Sequence, residues 1–99
     1  MMTNYADQDG QIWYDGNLVP WRDCNVHMLT HGLHYASCVF EGERVYSGEV
    51  FKLREHSQRL IDSATALGFK IPYSLEEIEQ ATREVVAAQG YADAYVRPA

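Results

Sequence analysis

A chain of 99 residues accommodates one domain with a thin core, and 46% hydrophobic with 12% aromatic residues argues against disorder or low complexity. The formal charge of −6, with acids and bases interspersed, disfavours nucleic acid as a partner, and no apolar run approaches the roughly 20 residues of a membrane span. Cys24 and Cys38 are too few for a disulfide framework and too far apart for a C-x-x-C motif, and the N-terminus has neither a basic n-region nor an apolar h-region. A reduced, unexported, cytoplasmic protein is the expectation.

Residues 1–11 read as a flexible, polar N-terminus, and structure is expected over 12–99. Ile12–Tyr14 and Leu18–Trp21 are short β-rich runs around Asp15-Gly16-Asn17, a hairpin signal, with Pro20 placed at a strand end because it has no N–H for a ladder. In the next stretch Thr30 is positioned to cap one short helical turn leading to Tyr35. Val39–Tyr46 alternates as a strand, and after Ser47-Gly48-Glu49 the run Val50–Leu53 is expected to return as its antiparallel partner.

Leu53, Leu60, Ile61, Ala64 and Leu67 fall at helical spacing before Gly68. A second amphipathic helix begins after Ser74, where Ser74 and Glu77 form a capping box and Tyr73 can staple onto Ile78; its stripe of Ile78, Ala81, Val85 and Ala88 ends at Gly90. Ala94–Pro98 closes the chain as a strand. The order predicts an α+β fold, a mainly antiparallel sheet with the two helices packed on one side.

The candidate chemistry centres on His27–Tyr46. Alternation puts Phe40, Gly42, Arg44 and Tyr46 on one strand face, with Val39, Glu41, Glu43 and Val45 on the other. An apolar ring, a bare backbone position, a guanidinium and a phenol in one row suit a ligand wall, and Tyr95 and Arg97 repeat that pattern on the last strand. Two guanidiniums among rings make a candidate site for a dicarboxylate; equally, both arginines could pair with surface acids. Arg59 reads as an exposed helix residue between Glu55 and Asp62. His27, His31 and His34 could share one helical face as metal ligands, but Gly32 weakens the turn and no Cys or carboxylate completes the set. Cys38 has no activating base beside it and is expected to pack as a small hydrophobe. Neither lysine, Lys52 or Lys70, lies where a buried amine nucleophile is suggested.

HGLHYASCVFEGERVY, followed by FKLREHSQRL and ending in AYVRP, closely resembles the N-terminal domain of branched-chain amino acid aminotransferases, fold-type IV enzymes that use pyridoxal phosphate. The likeness runs from Ile12 to the end, and its FEG-x-R-x-Y and Y-x-R elements separate it from the related D-amino acid aminotransferases and aminodeoxychorismate lyases. The resemblance implies that Arg59 binds the cofactor phosphate. It implies that Tyr95 binds the substrate α-carboxylate and that Arg97 receives the distal carboxylate of glutamate or 2-oxoglutarate. Phe40 and Gly42 would wall the branched side chain, Arg44 would organise Tyr95 and Arg97, and Tyr35 would reach the neighbouring subunit's pocket.

In that family the Schiff-base lysine and the acid on the pyridine nitrogen lie in a larger C-terminal domain, which neither Lys52 nor Lys70 replaces. The chain is thus expected to be the small domain, inactive alone, partnered by its own C-terminal domain and by further copies in a homo-oligomer. Completed, it would move an amino group between leucine, isoleucine or valine and 2-oxoglutarate. Alternatives are the small domain of a D-amino acid aminotransferase or aminodeoxychorismate lyase, or a stand-alone module for a dicarboxylate or metal.

Overall fold

The computed structural model describes residues 4–99. Strands β1 (Gln11–Tyr14) and β2 (Asn17–Pro20) pair antiparallel with Tyr14 opposite Asn17 and Gln11 opposite Pro20. Asp15 and Gly16 between them both have positive φ, 46° and 102°, the two left-handed residues a tight hairpin needs for its twist to match the strands. A 3-10 turn, Trp21–Asp23, follows. Residues 4–10, a stretch expected to fray, are tied to it: Arg22 pairs with Asp7 and Asp9, and Trp21 Nε1 donates to the Tyr5 carbonyl.

Helix α1 (His31–Tyr35) is a single turn. Thr30 precedes it but does not cap it through its side chain; its hydroxyl donates back to the His27 carbonyl at 2.6 Å. Strand β3 (Glu43–Tyr46) is the middle of a three-stranded sheet, with β4 (Glu49–Val50) on one side and β5 (Ala94–Val96) on the other, both antiparallel. The strand expected from Val39 is shorter. Only the Glu41 N–H continues the pairing, donating to the Pro98 carbonyl at 2.9 Å, and Pro98 has no N–H to answer with, so the ladder stops. The expected return strand over Val50–Leu53 is cut short as well, because Lys52 turns left-handed (φ 54°) and opens helix α2 (Leu53–Ala66).

Helix α3 (Leu75–Gln89) has the full capping box: the Glu77 N–H donates to Ser74 Oγ at 3.1 Å, and the Ser74 N–H to the Glu77 carboxylate at 3.0 Å. Gly90 ends it in the left-handed conformation. Val45, Leu53, Leu60, Ala64, Ile78 and Ala81 form the core between β3, α2 and α3. Leu67 and Ala88, expected in the buried stripes, are exposed, whereas Ser57, Glu79 and Thr82 are buried. Glu79 is compensated by Arg54 at 3.0 Å and Arg83 at 3.4 Å.

The fold class stands as expected, α+β, with the strands divided between two small sheets instead of one. The first hairpin is fastened along α3: the Tyr73 hydroxyl donates to Asp15 at 2.6 Å with its ring edge-on to Trp13, and the Gln11 N–H donates to Gln89 Oε1 at 2.7 Å. Among the described residues no helix is long and apolar enough to cross a membrane.

Candidate functional site

The period-two geometry of β3 and the residues before it separates two chemistries. Phe40, Gly42, Arg44 and Tyr46 share one side, on which Phe40, Arg44 and Tyr46 are exposed, while Glu41, Glu43 and Val45 are buried on the other. The antiparallel register places Arg44 directly opposite Tyr95, and the same alternation carries Arg97 onto the open side of β5's continuation.

On that open face the side chains interlock. The Arg97 guanidinium lies over the Phe40 ring, 4.3 Å from its centroid, and donates from Nε and Nη2 to the Tyr95 hydroxyl at 3.2 and 2.8 Å. Arg44 stacks on Tyr46 at 5.8 Å. Among the described residues Arg22, Arg54, Arg59 and Arg83 each pair with a carboxylate, but Arg44 and Arg97 have no carboxylate partner. In a chain with fourteen acids, these two cations are held by rings and a phenol, and their remaining N–H groups have no hydrogen-bond partner among the described residues.

Gly42 is the bare position of the wall, but the space above it is filled. A Cβ there would lie 2.6 Å from the Tyr95 hydroxyl and 3.2 Å from the ring, so the glycine lets the phenol sit close against the strand, where it accepts from Arg97. Gly42→Ala is expected to leave stability within about 1 kcal/mol, since an exposed ring can swing aside. It should also break the Tyr95–Arg97 bond. The Arg97 Nε–H resonance would then exchange rapidly with solvent, and an unchanged, protected resonance would refute the close packing.

Arg59 lies on the opposite side. Its Nε and Nη2 donate to the two oxygens of Glu41, both at 2.7 Å, in a side-on fork, and His56 Nδ1 meets the same carboxylate at 2.7 Å. The expected pairing with Glu55 or Asp62 is replaced by this one; Asp62 instead accepts from Gln58. The Arg59 bonds hold the Glu41 carboxyl below its ordinary value, against the desolvation of the buried site and with further help from His56. Arg59 remains 66% exposed, and its Nη1 makes no hydrogen bond among the described residues, which leaves an edge free for an anion such as a phosphate ester. Glu41 and His56 were missed by sequence reasoning; the signal available was that Glu41 shares the inner face with Val45, and that His56 and Arg59 are three apart on α2.

Tyr35 is not drawn into the wall. Its ring stacks on His31 at 4.5 Å within α1, and the side chain is 73% exposed, with Val26, Met28, Leu29 and Leu33 nearby in sequence also open. The three histidines have separate partners: His27 accepts from the Leu29 N–H, His31 bonds Ser37, and His34 bonds the Met28 carbonyl. Among the described residues no group of His, Cys, Asp and Glu is placed to hold a metal ion. Cys38, expected to pack as a small hydrophobe, is exposed. Lys52 stacks over Phe51 and Lys70 is exposed. A cleft of about 740 Å³ between the β3–β4 turn and the end of α3 is lined by none of the wall residues, and its one cation, Arg83, is already paired.

Residues 38–99 match the amino-transferase class IV family. A probable branched-chain-amino-acid aminotransferase of Rickettsia felis is 54% identical over 87 residues, 88% of this chain and 30% of that protein. The branched-chain-amino-acid aminotransferase of Pseudomonas aeruginosa is 50% identical, over 94% of this chain and 32% of that one. The chain thus spans about a third of the length of these relatives. The solved branched-chain amino acid aminotransferase of T.th., complexed with N-(5'-phosphopyridoxyl)-L-glutamate, superimposes with a TM-score of 0.86 at 40% identity, over 91% of this chain and 32% of its own. With a family match over residues 38–99 and a shared fold, this chain belongs to the amino-transferase class IV family and is similar to about a third of the length of its branched-chain members.

Proposed function

We propose that the chain is the substrate-reading small domain of a branched-chain amino acid aminotransferase that transfers the amino group of leucine, isoleucine or valine to 2-oxoglutarate. The observation that carries this reading is the Phe40–Gly42–Arg44–Tyr95–Arg97 wall, in which two guanidiniums without carboxylate partners stand among aromatic rings. One wall must take an aliphatic side chain in one half-reaction and a second carboxylate in the other. Phe40 and the ring of Tyr95 offer apolar area to the first, and the unpartnered N–H groups of Arg97 offer donors to the second. Tyr95, which lies opposite Arg44, is assigned the substrate α-carboxylate in this reading.

Arg59 fits a phosphate anchor: its side-on fork with Glu41 fixes the guanidinium plane and leaves Nη1 free. Pyridoxal phosphate, when bound, supplies the electron sink for removal of the α-proton. The residues of this chain bind and orient; the amine and the base for that proton are assigned to a lysine-bearing second domain, since Lys52 and Lys70 lie off the wall. The wall itself is open, which suits a surface that the second domain covers. Tyr35 and the exposed apolar residues from Val26 to Leu33 are assigned to contact with a neighbouring subunit, in a cytoplasmic homo-oligomer. Residues 1–99 alone are inactive in this reading.

Assayed in the complete lysine-bearing enzyme with a panel of donors, L-leucine, L-isoleucine and L-valine should outpace D-alanine by at least about 100-fold with 2-oxoglutarate as acceptor, a barrier difference of roughly 2.7 kcal/mol. A preference for D-alanine, or pyruvate released from aminodeoxychorismate, would replace this reading with one of the related class IV activities.

A further inference from the structure

Arg59 could have presented its guanidinium to solvent from an exposed helix face, but instead it is gripped from below. Glu41 lies on the buried side of the segment leading into β3, 5% exposed, and spends both carboxylate oxygens on Arg59, while His56, one turn earlier on α2, bonds the oxygen that also accepts from Arg59 Nη2. The same residue is fixed through its backbone, where its N–H donates to the Pro98 carbonyl. A long arginine side chain free in water samples many rotamers, and ordering it on an anion costs binding energy; a guanidinium already locked in plane avoids most of that loss.

We infer that Glu41, braced by His56, is a positioning residue that sets the affinity of Arg59 for a phosphate ester by fixing the guanidinium with Nη1 outward. The inference rests on the reading of Arg59 as the cofactor's phosphate ligand. Glu41 touches no substrate; it acts through Arg59. Because Glu41 lies between Phe40 and Gly42 in the chain, the grip also ties the anion site to the wall on the other side of the strand.

The test measures dissociation of pyridoxal phosphate from the complete enzyme by absorbance titration of the apoprotein, beside thermal melting. Glu41→Gln keeps the shape but loses the charge and one acceptor, and should weaken cofactor binding about tenfold or more. His56→Gln removes one brace and should weaken it about threefold, and it serves if Glu41→Gln fails to fold. Glu43→Gln, on the same buried side but without a bond to Arg59, should stay within about twofold.

In an Arg59→Ala background Glu41→Gln should add no further loss of cofactor affinity, because its effect passes through the arginine. An equal loss in that background would make Glu41 a structural residue and overturn the inference. Unchanged affinity in both Glu41→Gln and His56→Gln, with Arg59→Ala weak, would overturn the inference and leave the phosphate assignment standing. Unchanged affinity in Arg59→Ala would instead refute the phosphate assignment itself, and the inference with it.

Discussion

Replacing Arg97 by methionine in the complete enzyme is expected to lower kcat/KM for glutamate about 100-fold, while kcat/KM for leucine falls by no more than about threefold. The asymmetry follows from what the guanidinium does in each case. A carboxylate on its unpartnered N–H groups would form charge-assisted hydrogen bonds, worth about 1.5–3 kcal/mol each, and methionine offers none. For leucine the same position would supply mainly area over Phe40, 4.3 Å away, and an unbranched thioether would keep most of that area. Arg97→Lys should fall between the two, since the charge survives but the planar fork that meets Tyr95 at 2.8 and 3.2 Å does not. Steady-state kinetics with both donors decides the matter. Equal losses for glutamate and leucine would remove Arg97 from distal-carboxylate recognition and return it to a stacking role.

The parts of the molecule written in local rules were legible from the sequence. Asp15-Gly16 fixes its hairpin within four residues, Ser74 and Glu77 fix the start of α3, and Gly90 its end, because each device is a contact between near neighbours in the chain. Alternation also carried the wall: once Arg44 and Tyr95 were each placed on a face, the observed register had only to bring those faces together. What local rules could not supply was which strands share a sheet, and the hairpin went to its own sheet beside α3. The partner of Arg59 was hidden for the same reason. Glu55 is one turn away and looks like the obvious acid, whereas Glu41 is eighteen residues distant and wins because it is buried and can offer both oxygens. Hydropathy was equally silent on the burial of Glu43 and Ser57, since a polar residue on an inner face reads as polar wherever it stands.

Glu43 is the place where that silence has the largest energetic consequence. Its side chain is fully buried beneath β3, and neither carboxylate oxygen, nor the buried Ser57 hydroxyl on α2, has a hydrogen-bond partner among the described residues. Desolvation is the main cause that pushes its carboxyl up to about 7 from 4.5, with nearby Glu41 adding to the rise and His56 opposing it. The sign follows from proton counting. Between the unfolded and folded values the native state holds a proton that the unfolded chain has released, so the contribution of Glu43 is fully present below about 4.5 and is lost as pH rises through about 7. The loss is at most on the order of 3 kcal/mol, a large share of the roughly 5–15 kcal/mol typical of a domain. Glu41 has the opposite dependence: its carboxyl is held below the ordinary value, so its contribution is present above that ordinary value and is lost as pH falls through its folded value. Glu43→Gln should therefore raise the melting temperature by about 10 °C at pH 8 and by little at pH 5, a difference profile in which groups common to both proteins cancel. Glu43→Met, which also removes the unpartnered polar atoms, should be at least as stable at pH 8. Melting curves of the three proteins across pH 5–8 provide the measurement, and a Glu43→Gln difference that does not grow with pH would mean that the carboxylate finds a partner when it ionises.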